Sequence, residues 1–134
     1  MALLGKSSVL VTSTLTSDSV VSVPNNEYNV VICKGSGDQT VELPLLSNVV
    51  LGTIIKVKQS NGNTNEVVVQ QNNAETTATP AQTNIIPLDG GAAVDSVTLT
   101  GTASESFTLT LQAAKAGTGG AKAWVVLSEV TNEA

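Results

Sequence analysis

The chain has no histidine and no arginine, one cysteine, and a single Phe, Trp, Tyr and Met in 134 residues. Each shortage removes a class of function. Without histidine, a Ser-His-Asp or Cys-His nucleophile has no base in its usual form, and the Cys/His clusters that hold zinc are missing. Lysine is the only cation, six residues against eleven acids, for a net charge of −5. Proteins that bind nucleic acid neutralise phosphates with Lys and Arg, so no nucleic-acid partner is expected. Tyr28, Phe107 and Trp124 are too few to form the aromatic platform on which polysaccharide sites stack sugars. A carboxylate pair can hydrolyse glycosides, but most acids here fall in turn-like or strand-end settings, where a solvated carboxylate is expected. The sequence therefore predicts a protein that is not an enzyme and takes no cofactor.

Metal binding is not expected either. Asp89-Gly90-Gly91 and Asp95 offer oxygen ligands, but the EF-hand spacing is absent and a plain turn before a strand accounts for them. Gly35-x-Gly37 lacks the third glycine and the following helix of a phosphate-binding loop. Cys33, in Val30-Val31-Ile32-Cys33, reads as a small buried hydrophobe, and a lone cysteine permits no intrachain disulfide. Met1–Lys6 lacks the basic-then-apolar pattern of a signal peptide. No apolar run approaches the roughly 20 residues of a membrane helix, so no membrane partner is expected.

The residues that are abundant indicate a folded all-β chain. The apolar fraction is 41%, and it is almost entirely Val, Leu, Ala and Ile. Thr, Ser and Asn dominate the polar remainder. β-Branched Val and Thr fit a pleated surface better than a helix. Alternation is clearest in Ser96-Val97-Thr98-Leu99-Thr100 and in Ser106 to Gln112, where Phe107, Leu109 and Leu111 share a side. The short polar link between these two segments predicts an antiparallel hairpin. Further strands are expected at 8–16, 19–23, 29–34, 39–43, 53–59, 66–71, 83–88 and 121–128. Turn-forming clusters such as Pro24-Asn25-Asn26, Asn61-Gly62-Asn63 and Asp89-Gly90-Gly91 separate them. Residues 72–81 read as an exposed polar loop, and 113–120, with three glycines, as a flexible connection or hairpin tip. Trp124 reads as core filler. No internal repeat of fixed period is evident. The expected fold is an antiparallel β-sandwich or barrel of about 8–10 short strands. Residues 1–24 form an N-terminal arm and first strands, and residues 25–134 the β-domain.

From Tyr28 onward the order of elements resembles a β-rich module of bacteriophage virion proteins, of the head-decoration or tail-fibre type. The matching residues are Tyr28-Asn29-Val30, Thr40-Val41-Glu42-Leu43-Pro44, Gly52 to Lys58, Val67-Val68-Val69, Val97-Thr98-Leu99, Ser106 to Leu109 and Trp124-Val125-Val126. The chain departs from the fibre pattern in lacking a long shaft. The resemblance implies a capsid decoration (cement) protein, made in the host cytoplasm and placed on the capsid exterior. It would act as a homo-oligomer, a trimer, bound to the major capsid protein. Leu3, Leu4, Val9, Leu10 and Val11 would then be the partner contacts, extending onto a capsid edge by strand addition. The alternative is a tail-fibre or adsorption protein that reads a host receptor through the loops at 72–81 and 113–120.

Overall fold

The computed structural model describes residues 10–15, 19–20, 28–34, 38–59, 66–100 and 105–133. They form ten strands and little helix: β1 (Leu10–Leu15), β2 (Ser19–Val20), β3 (Tyr28–Cys33), β4 (Gln39–Glu42), β5 (Ile54–Gln59), β6 (Glu66–Gln70), β7 (Ile85–Ile86), β8 (Ser96–Thr100), β9 (Glu105–Ala114) and β10 (Ala123–Glu133). One turn of α-helix, α1 (Asn73–Thr76), follows β6. The all-β class is as the composition indicates, and most strands lie within a few residues of the segments read from alternation.

The strands lie in two open sheets, one ordered β1-β3-β5-β9-β10-β7 and the other β2-β4-β6-β8. Neither sheet closes into a barrel. The expectation of purely antiparallel pairing is corrected: both sheets are mixed. β1, β3 and β5 run parallel in the first, and β2, β4 and β6 run parallel in the second. Over its first six strands the chain therefore alternates between the sheets, laying down one strand of each per rung. Tyr28 stands opposite Leu10 and Ile54 opposite Tyr28, so successive rungs of the larger sheet consume 18 and then 26 residues. In the smaller sheet Val41 stands opposite Ser19 and Val69 opposite Val41, intervals of 22 and 28 residues. Unequal loops between the rungs erase any fixed period, which is why the structural repeat leaves no repeat in the sequence.

The expected hairpin of 96–100 with 106–112 does not form. β8 pairs antiparallel with β6 in the smaller sheet, while β9 pairs antiparallel with β5 and β10 in the larger one. Alternation places both strands against one core, but it does not say on which side of that core each lies. The hairpin that does form is β9–β10, and its tip falls in the glycine-rich stretch 113–120. Gly119 and Gly120 there adopt φ of +68° and +81°, which side chains rarely tolerate.

The core is the space between the sheets. Val31, Ile55, Val57, Leu109, Leu111, Trp124 and Val126 enter it from the larger sheet, and Val41, Val67, Val69 and Leu99 from the smaller. Trp124 is fully buried, as expected, and so is Cys33. Burial pushes the Cys33 thiol up from 9.0 to about 11, because the thiolate would lose its hydration. The folded state thus favours the neutral thiol. Stability from this source is intact below the unfolded value near 9 and is lost as pH rises toward 11. The two-unit shift corresponds to about 3 kcal/mol. Urea midpoints at pH 8 and pH 11 should therefore fall further for the native chain than for Cys33→Val. At pH 8 a thiol reagent should label Cys33 only in the unfolded chain.

Candidate functional site

After β6 the chain enters a polar cluster that the alternation does not announce. Four residues cannot sustain a helix in water, so α1 depends on side-chain bonds at its start. Asn72 caps it: Oδ1 accepts from Ala74 N at 3.0 Å, and Nδ2 donates to Leu43 O at 3.2 Å. Glu42 Oε2 accepts from Asn73 N at 2.5 Å, placing a carboxylate at the positive end of the turn.

The helix carries Glu75 inward until only 6% of it is exposed. Its Oε2 accepts from the buried Leu46 N at 2.8 Å, and its Oε1 accepts from Asn84 Nδ2 at 2.9 Å. Beside it, fully buried Gln71 donates from Nε2 to Gln82 O at 2.7 Å and to Thr76 Oγ1 at 2.9 Å. Its Oε1 accepts from Asn84 N at 2.7 Å. Every polar atom of the Gln71 side chain is thus engaged, which burial requires. Lys122 Nζ donates to Leu46 O at 3.1 Å and to Val49 O at 2.6 Å. The 3-10 turn Leu46–Asn48 is therefore gripped at both ends, by a carboxylate on its first N–H and an ammonium on its carbonyls. This matches the polarity of orphan groups at helix ends.

Leu46, Glu75, Gln82, Asn84 and Lys122 line an open groove of about 700 Å³ between α1, the 82–86 segment and the β9–β10 tip. Glu75, Asn84 and Lys122 supply its polar wall, and Ile86 and Ala93 its apolar one. The volume suits a small molecule or a few side chains. Both Glu75 oxygens and the Lys122 ammonium are committed to hydrogen bonds within the chain, so these groups hold the shape of the groove.

Residues 72–81 are largely exposed, as expected, but 73–76 form a helical turn instead of loop, and Glu75 is a buried carboxylate where a solvated one was expected. The signal available was Asn72-x-x-Glu75, the spacing of a helix start. Nothing local identifies Leu46, 29 residues away, as the partner of Glu75. Asp89 and Gly90 form the expected turn: Asp89 Oδ1 accepts from Gly91 N at 2.8 Å, and Gly90 takes φ of +73°. Among the described residues, no three His, Cys, Asp or Glu side chains gather as a metal site would need.

Of the expected partner contacts, Leu10 and Val11 begin β1, opposite Tyr28 and Asn29 of β3. Leu3, Leu4 and Val9 lie outside the described residues. β1 is the last strand of the larger sheet, and β2 the last of the smaller, so the same rung ends both. The six residues of β1, Leu-Val-Thr-Ser-Thr-Leu, contain no charge and no proline, and their register with β3 runs unbroken. β10 differs: where it extends beyond the two-residue β7, its register slips at Leu127. Bulges of this kind turn an edge away from further pairing. Comparison of the chain with models of known protein families and with curated proteins finds no match in either.

Proposed function

We propose that the chain is a non-enzymatic virion structural protein that decorates a bacteriophage capsid and cements its shell. It acts as a homo-oligomer, a trimer, on the capsid exterior, with the major capsid protein as partner. The observation that carries this reading is the β1 edge. An uncharged, bulge-free strand at the end of a sheet is a template for pairing with another chain. It contains Leu10 and Val11, two of the residues that the module resemblance implies as contacts. Strand addition supplies main-chain hydrogen bonds, and alternate side chains supply selectivity. A protein that binds only the assembled lattice stabilises it by mass action, and several such contacts per oligomer act through avidity.

The test is addition of the purified protein to heads stripped of it. Saturable binding with raised heat resistance of the heads is expected. Binding to host cells and not to heads would discard the cement reading. Deleting residues 1–7 should weaken head binding at least about tenfold, since about 1.4 kcal/mol is a small part of a strand-addition contact. Unchanged affinity removes this segment from the mechanism.

A receptor-reading role is the second reading, and one observation favours it. The two segments expected to carry receptor contacts, 72–81 and 113–120, meet at the groove beside Glu75. Host-cell adsorption that is lost in Ile86→Lys would support it.

A further inference from the structure

The smaller sheet has four strands against six in the larger, and it ends at β8 while the larger continues through β10 and β7. The shortfall leaves a step beside β8 where inward-facing side chains are not covered. Val97 stands opposite fully buried Val69, and so faces the core, yet it is only partly buried. Phe107 is in the same condition on β9. Glu129 of β10 stands opposite fully buried Leu109 and therefore also points to the inner side, but it is exposed. Leu99, Phe107 and Glu129, with Thr98 and Thr100, line a cleft of about 260 Å³ at this step. Among the described residues, no strand pairs with the outer edge of β8 and no cation pairs with Glu129. β8 itself, Ser-Val-Thr-Leu-Thr, has no charge and no proline, and its register with β6 is unbroken. Such an edge accepts a further strand.

We propose that the cleft takes residues 2–6 of a neighbouring copy, Ala-Leu-Leu-Gly-Lys, laid along β8 as a fifth strand of the smaller sheet. Alternate residues of a strand point the same way, so Leu4 and Lys6 enter the cleft together. The spacing fits. Phe107 lies two residues along β9 from Leu109, the partner of Glu129. Leu4 then covers Phe107 and Leu99, while the Lys6 ammonium meets the Glu129 carboxylate. The segment cannot do this within its own copy. β10 lies four strands across from β1, about 19 Å at the usual spacing, and the added strand lies about 10 Å away in the other layer. Lys6 is four residues before Leu10, a span of at most about 14 Å. A contact between an arm and a distant cleft joins two different surfaces and has no two-fold axis, so copies close into a ring or continue as a filament. Ser7, Ser8 and Val9 bridge up to about 10 Å between copies, which lets three of them close as a triangle. This inference rests on the oligomer reading above and names its contact. Leu4 is then covered by a sister copy, and the shell contact falls to Leu10 and Val11 on β1.

The test is sedimentation velocity of the full chain and its variants over a range of concentrations, without heads. The unchanged chain should form a trimer, and deletion of residues 1–7 should leave a monomer. Lys6→Glu alone and Glu129→Lys alone should each weaken association about tenfold, since attraction becomes repulsion across the contact. The chain carrying both changes should recover most of the loss, which a merely misfolded variant would not do. In the unchanged chain a carbodiimide, which joins touching amines and carboxylates, should link Lys6 to Glu129 in species of two or three chain masses. The cross-link stands even if a variant fails to fold. An oligomer that survives the deletion overturns this contact and leaves the trimer reading in place. A monomer at every concentration overturns both. A Lys6 to Glu129 link confined to single chains, or charge reversals that do not rescue each other, overturns the arm contact alone.

Discussion

Trp124→Ala should destabilise the protein by about 3–5 kcal/mol, the cost of emptying a large aromatic site in a packed core. Whole domains of ordinary size are stable by about 5–15 kcal/mol, so this one change removes a large share. The ring is fully buried on β10, the fifth of the six strands of the larger sheet, opposite Ala113 on one side and Ile85 on the other. Ala113 is too short to collapse into the space. Trp124→Phe should cost far less, about 1–2 kcal/mol, for two reasons. Phe retains most of the apolar volume, and the indole N–H it deletes makes no hydrogen bond in the fold. Removing a polar group that is already unsatisfied forfeits nothing. Urea denaturation followed by circular dichroism measures both variants. In the unchanged chain the single tryptophan reports the same transition by a red shift of its emission. Equal losses for Phe and Ala would show that the indole N–H, and not the ring volume, sustains the core.

Glu75→Ala should cost about 2–4 kcal/mol, more than its small side chain suggests. It deletes the acceptor of the buried Leu46 N–H and of Asn84 Nδ2 together. A buried donor left without a partner costs about 1–3 kcal/mol. Asn84 also bonds Gln71 through its backbone, so the loss spreads into a network whose members support one another. Glu75→Gln should be milder, because the amide retains one acceptor while turning the other into a donor. Hydrogen exchange gives a sharper reading than the midpoint. The Leu46 amide should lose protection in Glu75→Ala, while amides of β9 and β10 keep theirs relative to the new global stability. Full protection of Leu46 in that variant would mean that the Glu75 contact is not what holds the turn.

These two residues differ in how far the sequence alone announces them. Trp124, within Ala123-Trp124-Val125-Val126-Leu127, is legible as core because a large ring in an apolar strand has few other fates. Glu75 is illegible because its setting, Asn-Asn-Ala-Glu-Thr-Thr, has the composition of a surface loop. Its burial depends on Leu46 and Asn84 arriving from other parts of the chain. The β1 edge lies between these cases. Leu10 and Val11 are recognisable as strand residues, but their place at the end of a six-stranded sheet is visible only in the assembled fold.

Which segments are strands, and through alternation which side chains face inward, follows from the order of amino acids. Both are matters of local geometry, because successive residues of a strand point to opposite sides. The shortage of His, Arg and aromatics likewise narrowed the expected chemistry before any fold was known. Strand pairing was settled only when the sheets assembled. The alternation of Val97 and Leu99 would serve equally in a hairpin or across a sandwich. The second arrangement holds, with β8 and β9 on opposite sides of the core. Assembly settled too that the early strands stack in parallel rungs, and that Lys56 and Lys58 share one outer face while Glu42 and Glu66 share the other. Pairing joins residues far apart in the chain, and its outcome rests on how two whole sheets close over one core.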